Sequence, residues 1–491
     1  MAQTFLVLIP IPGTGHLFSA VELANLLVGR DHSLSITVLL MKLPSDNPKG
    51  ESPSAALDAS AVQVLHPRVS FVYLPDDGTF RDMAANNFYI RLVESYCPHV
   101  SRAVAKLASE CNSSSLQRRL GGFVLDMFCA SMVDVANSFG VPSYIFFTSS
   151  SAMLGLMLHL QELRDDHSKD VAGYRNSGEE LAFPGFACPL PGKVLPALVL
   201  RPETVGLFLD NFRRFRETRG IIVNTFLELE PQPLKFLQSE PGLPKVYPVG
   251  PIVNVWGSSG DSTRTQVCHE VAKWLDRQPE ASVVFLCFGS MGRFDEDQVR
   301  EIAIALEKCK YRFLWSLRRS QPKDKIGLSR DYGVDLREVL PDGFLERTAG
   351  IGRVIGWAPQ SEILGHPSTG GFVSHCGWNS ILEGIWFGVP MAAWPIYAEQ
   401  QLNALQLVKE MGLATEVRID YRRDFKMESG VTVSSKEIGQ AIQALMEESG
   451  EQRRKMGKLR DISRNVQKER GSSHVALGEF LKDVSANMKK A

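Results

Sequence analysis

Short apolar runs alternate along the chain with glycine-rich turns and amphipathic stretches. The run Phe5–Pro10 leads through such a turn into a helical pattern at about Leu17–Val28, and another apolar run follows at Leu34–Leu40. Strand, turn, helix and strand in this order predict a βαβ unit and therefore a parallel sheet. Further strands of this half are predicted at Gly122–Asp126, Ser143–Phe147 and Gly220–Asn224.

A second βαβ series occupies the C-terminal half. Its predicted strands are Ser282–Gly289, Arg312–Leu317, Gly371–His375 and Pro390–Trp394, and its predicted helices are Asp295–Lys308 and Trp378–Trp386. A segment rich in Gly, Pro and Ser separates the two series and predicts a linker over residues 249–265. We therefore expect an α/β protein whose two doubly wound, Rossmann-like domains, residues 1–248 and 266–471, face each other across a cleft. A final helix over about 472–491 is expected to pack back on the first domain.

Composition and charge exclude several classes of partner. The 491 residues carry a formal net charge of -1, without the basic excess that nucleic acid or an anionic membrane surface would require. The eight cysteines form no CxxC pair, which is typical of reduced thiols in the cytoplasm. The first apolar run lacks the basic region of a signal peptide, and no stretch is apolar for long enough to span a membrane. We expect a cytoplasmic monomer.

One turn in the C-terminal half has the chemistry of a diphosphate site. A predicted strand ends at His375, and Gly377 opens the next helix. Backbone N–H groups at a helix N-terminus suit a diphosphate, and the helix dipole adds to the attraction. Asn379 and Ser380 add hydrogen-bond donors at the same point, and Ser290 follows another strand of the sheet.

Neighbouring residues supply the remaining groups of a nucleotide-sugar site. Trp357 offers a flat face for a uracil, and Glu383 is a carboxylate for the two ribose hydroxyls. Glu399 and Gln400 place an acceptor and an amide beside each other, which suits sugar hydroxyls. Taken singly, Trp357 is equally compatible with a place in the core, and Glu383 with a solvated helix face.

From Trp357 to Gln400 the chain closely resembles, without a gap, the donor-binding signature of the plant family 1 UDP-glycosyltransferases. The resemblance assigns donor binding to Trp357, Ala358, Gln360, His375, Gly377, Trp378, Asn379, Ser380, Glu383, Glu399 and Gln400, with Ser290 and, toward the sugar, Thr148. It covers the rest of the chain more loosely. It implies the GT-B architecture and transfer of a sugar from a UDP-sugar to a hydroxyl of a small, mostly apolar plant metabolite, such as a flavonoid, another phenolic or a terpenoid.

A histidine and an aspartate are the candidates for catalysis. His16 lies in a glycine-rich turn after the first strand, where an imidazole can act as a general base. Asp126 ends another predicted strand and can orient that imidazole. The resemblance puts the catalytic pair at these two positions. The alternatives are a turn histidine at His16 and a helix-capping aspartate at Asp126.

The resemblance and the residues together indicate glucose as the sugar. In the resembling family, Gln at the position of Gln400 usually accompanies glucose, whereas His there is often associated with galactose. Trp378 occupies a place where an Arg would suit the carboxylate of a glucuronate, and residues 370–401 contain no Arg or Lys. One general base without a paired carboxylate nucleophile predicts a single displacement that inverts the anomeric carbon.

The acceptor pocket is expected among aromatic residues, each of which is as compatible with the core. The candidates are Phe18, Phe88, Phe128, Phe147, Phe208 and Tyr397. We expect neither a cofactor nor a catalytic metal, because the acidic run Asp295–Asp297 opens a helix whose dipole it complements. Two rival classes are a nicotinamide-dependent oxidoreductase, which leaves the segment Trp357–Gln400 unexplained, and a non-catalytic nucleotide-sugar binder, which leaves His16 and Asp126 unexplained.

Overall fold

The strands of the computed structural model form two large sheets and two short hairpins. The model describes residues 3–43, 66–75, 78, 86–113, 118–253, 262–319, 330–331, 336–421, 431–447 and 450–488. In the N-terminal half the strands are β1 Gln3–Ile9, β2 Leu34–Leu40, β3 Val69–Tyr73, β4 Arg118–Asp126, β5 Ser143–Phe147, β6 Glu180–Leu181, β7 Leu190–Pro191, β8 Gly220–Val223 and β9 Lys245–Pro248. In the C-terminal half they are β10 Val283–Cys287, β11 Arg312–Ser316, β12 Arg318–Arg319, β13 Arg330–Asp331, β14 Gly352–Ile355, β15 Thr369–Ser374, β16 Met391–Ala393 and β17 Ala414–Glu416.

Both large sheets are parallel and doubly wound. The first has the order β3-β2-β1-β4-β5-β8-β9, and the second has the order β14-β11-β10-β15-β16-β17. The strand order reverses between β1 and β4 in the first sheet and between β10 and β15 in the second. This arrangement confirms the predicted α/β class, and it marks the two points where such sheets bind ligands.

Helices cover both sheets. In the N-terminal half they are Thr14–Arg30, Phe88–Ser113, Val133–Ser138, Ser151–Asp165, Tyr174–Ser177, Pro202–Arg213 and Pro231–Ser239. In the C-terminal half they are Ser262–Leu275, Glu296–Cys309, Phe344–Thr348, Gln360–Gly365, Trp378–Phe387, Gln400–Leu405, Ser435–Glu447, Glu451–Asn465 and Ser472–Met488. Across the described ranges, no helix has both the length and the apolar character that a bilayer span requires.

The last helix, Ser472–Met488, lies on the first sheet. Phe480 packs edge-on against Tyr144 of β5, with ring centroids 4.9 Å apart, and Arg219 pairs with Asp483 at 3.0 Å. The chain therefore passes between the halves twice. The return passage contacts the outgoing one, because Gln467 donates from Nε2 to the carbonyls of Val249 (3.2 Å) and Pro251 (3.1 Å).

Several elements differ from the sequence-based expectations. The helix Ser262–Leu275 begins inside the predicted linker, so the linker ends earlier than residue 265, and residues 254–261 lie outside the described part. The long helix Phe88–Ser113 was not predicted, because Pro98 interrupts its pattern. The edge strands β3, β9 and β14 are partly exposed, so they lack the continuous apolar run that indicates a buried strand.

Candidate active site

A cavity of about 610 Å³ lies between the carboxyl ends of the two sheets. The first half lines it with the turn after β1 and with the start of the helix Phe88–Ser113. The second half lines it with the turns that follow β10 and β15. Parallel sheets expose helix N-termini and loop side chains at these ends, so the cavity collects polar groups from both halves.

The strand-order reversal of the first sheet brings together His16 and Asp126. β1 pairs in parallel with β4, and the helix after β1 starts at Thr14, so His16 lies in its first turn. Nδ1 of His16 lies 2.7 Å from Oδ2 of Asp126. The other carboxylate oxygen of Asp126 accepts the backbone N–H of Phe128 at 3.1 Å. Both oxygens of this nearly buried carboxylate are therefore held in place.

The pair sets the charge and direction of the imidazole. Burial lowers the pKa of His16, but the charge and hydrogen bond of Asp126 outweigh it, and the net pKa is raised above the usual 6.5. Because Nδ1 faces the carboxylate, Nε2 is the nitrogen left to the cavity. A proton can therefore move between Nε2 and a bound hydroxyl while Asp126 stabilises the imidazolium.

Thr148 contacts the imidazole of His16. Its hydroxyl lies 3.1 Å from Nδ1 of His16, so it is a further partner of the imidazole. Thr148 also lines the cavity, directly after β5. The expected contact of Thr148 with the sugar stays a prediction.

The corresponding reversal of the second sheet holds His375 in a confined place. Gly289 follows β10 at a φ of 74°, and a Cβ at Gly289 or at Gly377 would lie 2.5 Å from Nε2 of His375. The two glycines therefore leave room for the ring. Burial lowers the pKa of His375 to about 4, and its Nδ1 is buried without a hydrogen-bond partner among the described residues. A hydrogen bond with the backbone of Cys287 opposes this lowering without offsetting it, so the imidazole is neutral at pH 7 and Nδ1 is the nitrogen left for a ligand.

Next to this turn, three predicted donor-site residues form one network. Nε2 of Gln360 donates to Oγ of Ser380 at 2.9 Å and to Oε2 of Glu383 at 2.7 Å. Burial raises the pKa of Glu383 to about 7, although hydrogen bonds from Gln360 and Ser361 oppose the rise. Trp357 and Ala358 line the cavity beside the network. The carboxylate of Glu383 and the indole ring of Trp357 therefore line one part of the cavity, where a ribose and a uracil can bind together.

Trp378 and Asn379 connect the two halves. The indole N–H of Trp378 donates to the carbonyl of Asn224 at 2.7 Å. The Asn379 amide donates to the carbonyl of Gly15 at 3.1 Å and accepts from Ser19 at 3.3 Å. One N–H of the Asn379 amide is thus engaged with the turn that carries the histidine, and the expected donation of Asn379 to a diphosphate stays a prediction. Sequence spacing does not reveal such contacts, since their partners are more than 150 residues away.

The residues expected at the sugar also connect separate segments. Ser149 donates to Oε1 of Glu399 at 3.2 Å. Oε1 of Gln400 accepts the backbone N–H groups of Ile396 (3.0 Å) and Tyr397 (3.1 Å), so its oxygen fixes the preceding loop. The amide nitrogen of Gln400 carries the two N–H groups that can donate, and a hydrogen bond with the side chain of Tyr397 engages one of them. Both residues line the cavity, as does Ser290.

Most of the expected acceptor-side residues line the same cavity, and one does not. The lining residues are Phe18, Phe88, Phe128, Phe208 and Tyr397. Phe147 is placed elsewhere: it is fully buried, and its ring packs against Phe212 at 6.1 Å and Phe215 at 6.3 Å. β5 is buried on both faces, so its apolar run does not show which side chains face the cavity. That expectation is corrected.

Sequence reasoning missed further cavity residues in the N-terminal half. Tyr89 stacks at a tilt on Phe128, with ring centroids 5.8 Å apart, and Asn87 and Arg201 line the same wall. They come from a helix start and a helix-capping loop that carry no motif. Only the folded chain brings them to the cavity.

Two doubly wound domains, with a diphosphate-type turn on one side of the cleft and a histidine–carboxylate pair on the other, define a glycosyltransferase of the GT-B class. A family model described as "UDP-glucoronosyl and UDP-glucosyl transferase" matches residues 243–451. The chain is 49% identical to the UDP-glucose flavonoid 3-O-glucosyltransferase 6 of Fragaria ananassa, over 98% of this chain and 99% of the relative.

Solved structures show the same similarity. A UGT transferase from Siraitia grosvenorii in complex with UDP superposes with a TM-score of 0.84 at 44% identity, covering 98% of this chain and 100% of the other. UGT71G1 of Medicago truncatula, complexed with UDP-glucose, superposes with a TM-score of 0.83 at 37% identity, covering 98% of each chain. The chain belongs to the plant family 1 UDP-glycosyltransferases, and it is an enzyme of the glycosyltransferase type.

Proposed function

We propose that the enzyme transfers glucose from UDP-glucose to a hydroxyl of a small hydrophobic plant metabolite, such as a flavonoid, another phenolic or a terpenoid. The observation that carries the proposal is that the pair His16–Asp126 and the turn at His375 line one cavity. The names of the relatives support the sugar and the acceptor class, because they describe flavonoid glucosyltransferases and a complex with UDP-glucose.

In the proposed mechanism, the oxygen of the acceptor hydroxyl attacks the anomeric carbon of the sugar. Nε2 of His16 takes the proton of that hydroxyl in the same step. The carbon–oxygen bond to UDP breaks in the same step, and its electron pair leaves with the diphosphate. The N-terminus of the helix Trp378–Phe387 and neutral His375 stabilise that charge. Asp126 is held by His16 and Phe128, so it acts as the partner of the base and not as a nucleophile. One displacement inverts the anomeric configuration.

For the sugar, Glu399 would accept hydrogen bonds and Gln400 would donate through its amide nitrogen. A site built to bond one hydroxyl leaves its own groups unpaired when that hydroxyl is moved, which favours glucose over its epimers. Direct competition of UDP-glucose, UDP-galactose, UDP-xylose and UDP-glucuronate tests this assignment. A higher specificity constant for another donor would refute glucose, and Gln400→His should shift the ratio toward galactose.

The product itself tests the reaction. An α-linked donor should yield a β-linked glucoside, which the anomeric coupling constant in the NMR spectrum of the product reports. Retention of the donor's configuration would refute the single displacement. We also propose that neither a metal nor another cofactor takes part, so that full activity survives exhaustive EDTA treatment. Within the described ranges, no three His, Cys, Asp or Glu side chains come together as a metal site would need.

A further inference from the structure

A row of hydrogen bonds joins the start of the helix Ser151–Asp165 to the helix that begins after Glu399. Ser149 donates to Glu399 at 3.2 Å, and Ser150 donates from Oγ to Oδ1 of Asn403 at 3.4 Å. Ser149 and Glu399 line the cavity, whereas Ser150 and Asn403 are fully buried outside its lining. The two segments belong to different halves of the molecule, so the row is a contact between the halves that starts at the active site.

A buried carboxylate closes this row at its far end. Glu230 is only 1% exposed. Its Oε2 accepts the backbone N–H of Ser151 at 2.8 Å, and its Oε1 accepts the backbone N–H of Ala152 at 3.0 Å. Oε1 also accepts from Nε2 of Gln406, in the other half, at 2.9 Å. Three donors, two of them at a helix N-terminus, compensate for the burial of this carboxylate.

The two segments that Glu230 ties together both start at the cavity. One starts with Thr148, whose hydroxyl lies 3.1 Å from Nδ1 of the catalytic imidazole. The other starts with Glu399 and Gln400, the residues proposed to bind the sugar, and continues as helix to the π-helical turn at Gln406. Because one carboxylate fixes both segments behind the cavity, the base and the sugar-binding side chains are held at a defined distance from each other.

We propose that Glu230 is a positioning residue of the sugar site. Through Gln406 and the helix start at Ser151, its carboxylate sets where Glu399 and Gln400 lie relative to the base, although Glu230 itself lies outside the cavity lining. A displacement of about 1 Å is enough to impair a reacting geometry and the hydrogen bonds that distinguish one sugar hydroxyl from another. This inference rests on the proposed function, because it concerns the sugar site of that reaction.

Two substitutions break the contact in different ways. Glu230→Gln keeps the shape of the side chain, but an NH₂ group replaces one oxygen and leaves a backbone N–H or Gln406 without its acceptor. Gln406→Met removes only the bond between the halves and leaves Glu230 on the helix N-terminus. The second variant therefore separates positioning from the stability of the helix, and thermal unfolding verifies that both variants are folded.

The measurement is kcat and KM with UDP-glucose and with UDP-galactose, together with the affinity for UDP by calorimetry. In both variants, kcat with UDP-glucose should fall about tenfold, and the preference for UDP-glucose over UDP-galactose should shrink by a similar factor. The affinity for UDP should stay near that of the wild type, because the residues proposed to hold the uracil and the diphosphate do not contact Glu230. A merely structural role would not change the preference between two sugars.

Glu410→Gln is the matched control. Its carboxylate also accepts two backbone N–H groups of the other half, those of Ala187 (3.0 Å) and Cys188 (3.2 Å), but it lies farther along the helix from the sugar site. This variant should keep the wild-type kcat and sugar preference. A Gln406→Met variant with wild-type kcat and preference would overturn the inference, as would an equal loss of preference in Glu410→Gln.

The same assays distinguish this inference from the sugar assignment on which it is built. A wild type that prefers a donor other than UDP-glucose would refute glucose as the sugar. Glu230→Gln and Gln406→Met should then weaken that other preference, and its retention in Gln406→Met would overturn the positioning role.

Discussion

Two histidines line the same cavity and are tuned in opposite directions. His16, on the acceptor side, has a carboxylate partner 2.7 Å away, and its pKa is raised above 6.5. His375, on the donor side, has no such partner, and burial lowers its pKa to about 4. The presence or absence of one carboxylate decides which imidazole can take a proton and which one stays neutral against a diphosphate.

The two sides also differ in how they are assembled. The donor side comes mostly from the continuous segment Trp357–Gln400, where one strand, one turn and one helix N-terminus do most of the positioning. The acceptor side collects single residues from distant segments, such as Asn87, Phe128 and Arg201. We therefore expect substitutions on the donor side to act on UDP binding, and those on the acceptor side to act on proton transfer and acceptor choice.

The largest expected effect is that of His16→Ala. Transfer of the sugar should fall by about 10²–10⁴-fold, the range of general-base catalysis, because His375 does not replace the lost imidazole as a base. UDP affinity, measured by calorimetry, should stay near that of the wild type. His375→Ala is the contrasting variant and should weaken UDP binding. If His16→Ala weakened UDP binding as strongly as His375→Ala, the division between the two sides would be wrong.

Asp126→Asn should change both the level and the pH dependence of transfer. A general base works when neutral, so the wild-type rate should rise with pH through an apparent pKa above 6.5. Without the carboxylate, burial holds the pKa of His16 lower, and the rising limb should move to lower pH. The plateau should fall by about 10²-fold, because the imidazolium loses its stabilising partner. A rising limb that stays in place would show that another group controls it.

Gly289→Ala should damage the donor side alone. The added Cβ would lie 2.5 Å from Nε2 of His375, at a residue with a φ of 74°. We expect the KM for the UDP-sugar to rise about tenfold and the free energy of unfolding to fall by about 1–3 kcal/mol. Gly350→Ala is the control, since no atom lies within 4 Å of its added Cβ. Equal effects of both variants would refute a specific role for His375.

The smallest effect is expected for Glu383→Gln. The pKa of Glu383 is raised to about 7, so the wild type should bind UDP more tightly as the pH rises from 6 to 8 and the carboxylate ionises to accept ribose hydroxyls. The glutamine variant should bind several-fold more weakly at pH 8, and its affinity should not follow this pH dependence. Calorimetric titration at three pH values measures both changes. An unchanged pH dependence would assign the titration to another group.

Local patterns predicted the elements that carry the donor side, and packing decided the rest. Leu34–Leu40 and Ser143–Phe147 are strands at their predicted bounds, because continuous apolar runs specify buried parallel strands. The same continuity hides which face a side chain takes, so Phe147 was assigned to the cavity although it belongs to the core. Asn87 and Thr148 acquire their partners only through contacts between distant segments, which no local spacing encodes.

The chain enters the second half once and leaves it once, and the two passages are bonded to each other through Gln467. In topological terms the C-terminal half is an insertion into the N-terminal half, between strand β9 and the helix Ser472–Met488. We expect two adjacent crossings to act as one hinge between the halves. The bond from Trp378 to Asn224 lies beside these crossings, because Asn224 is hydrogen-bonded to Ile252, whereas the bond from Asn379 to Gly15 joins the two halves at the cavity.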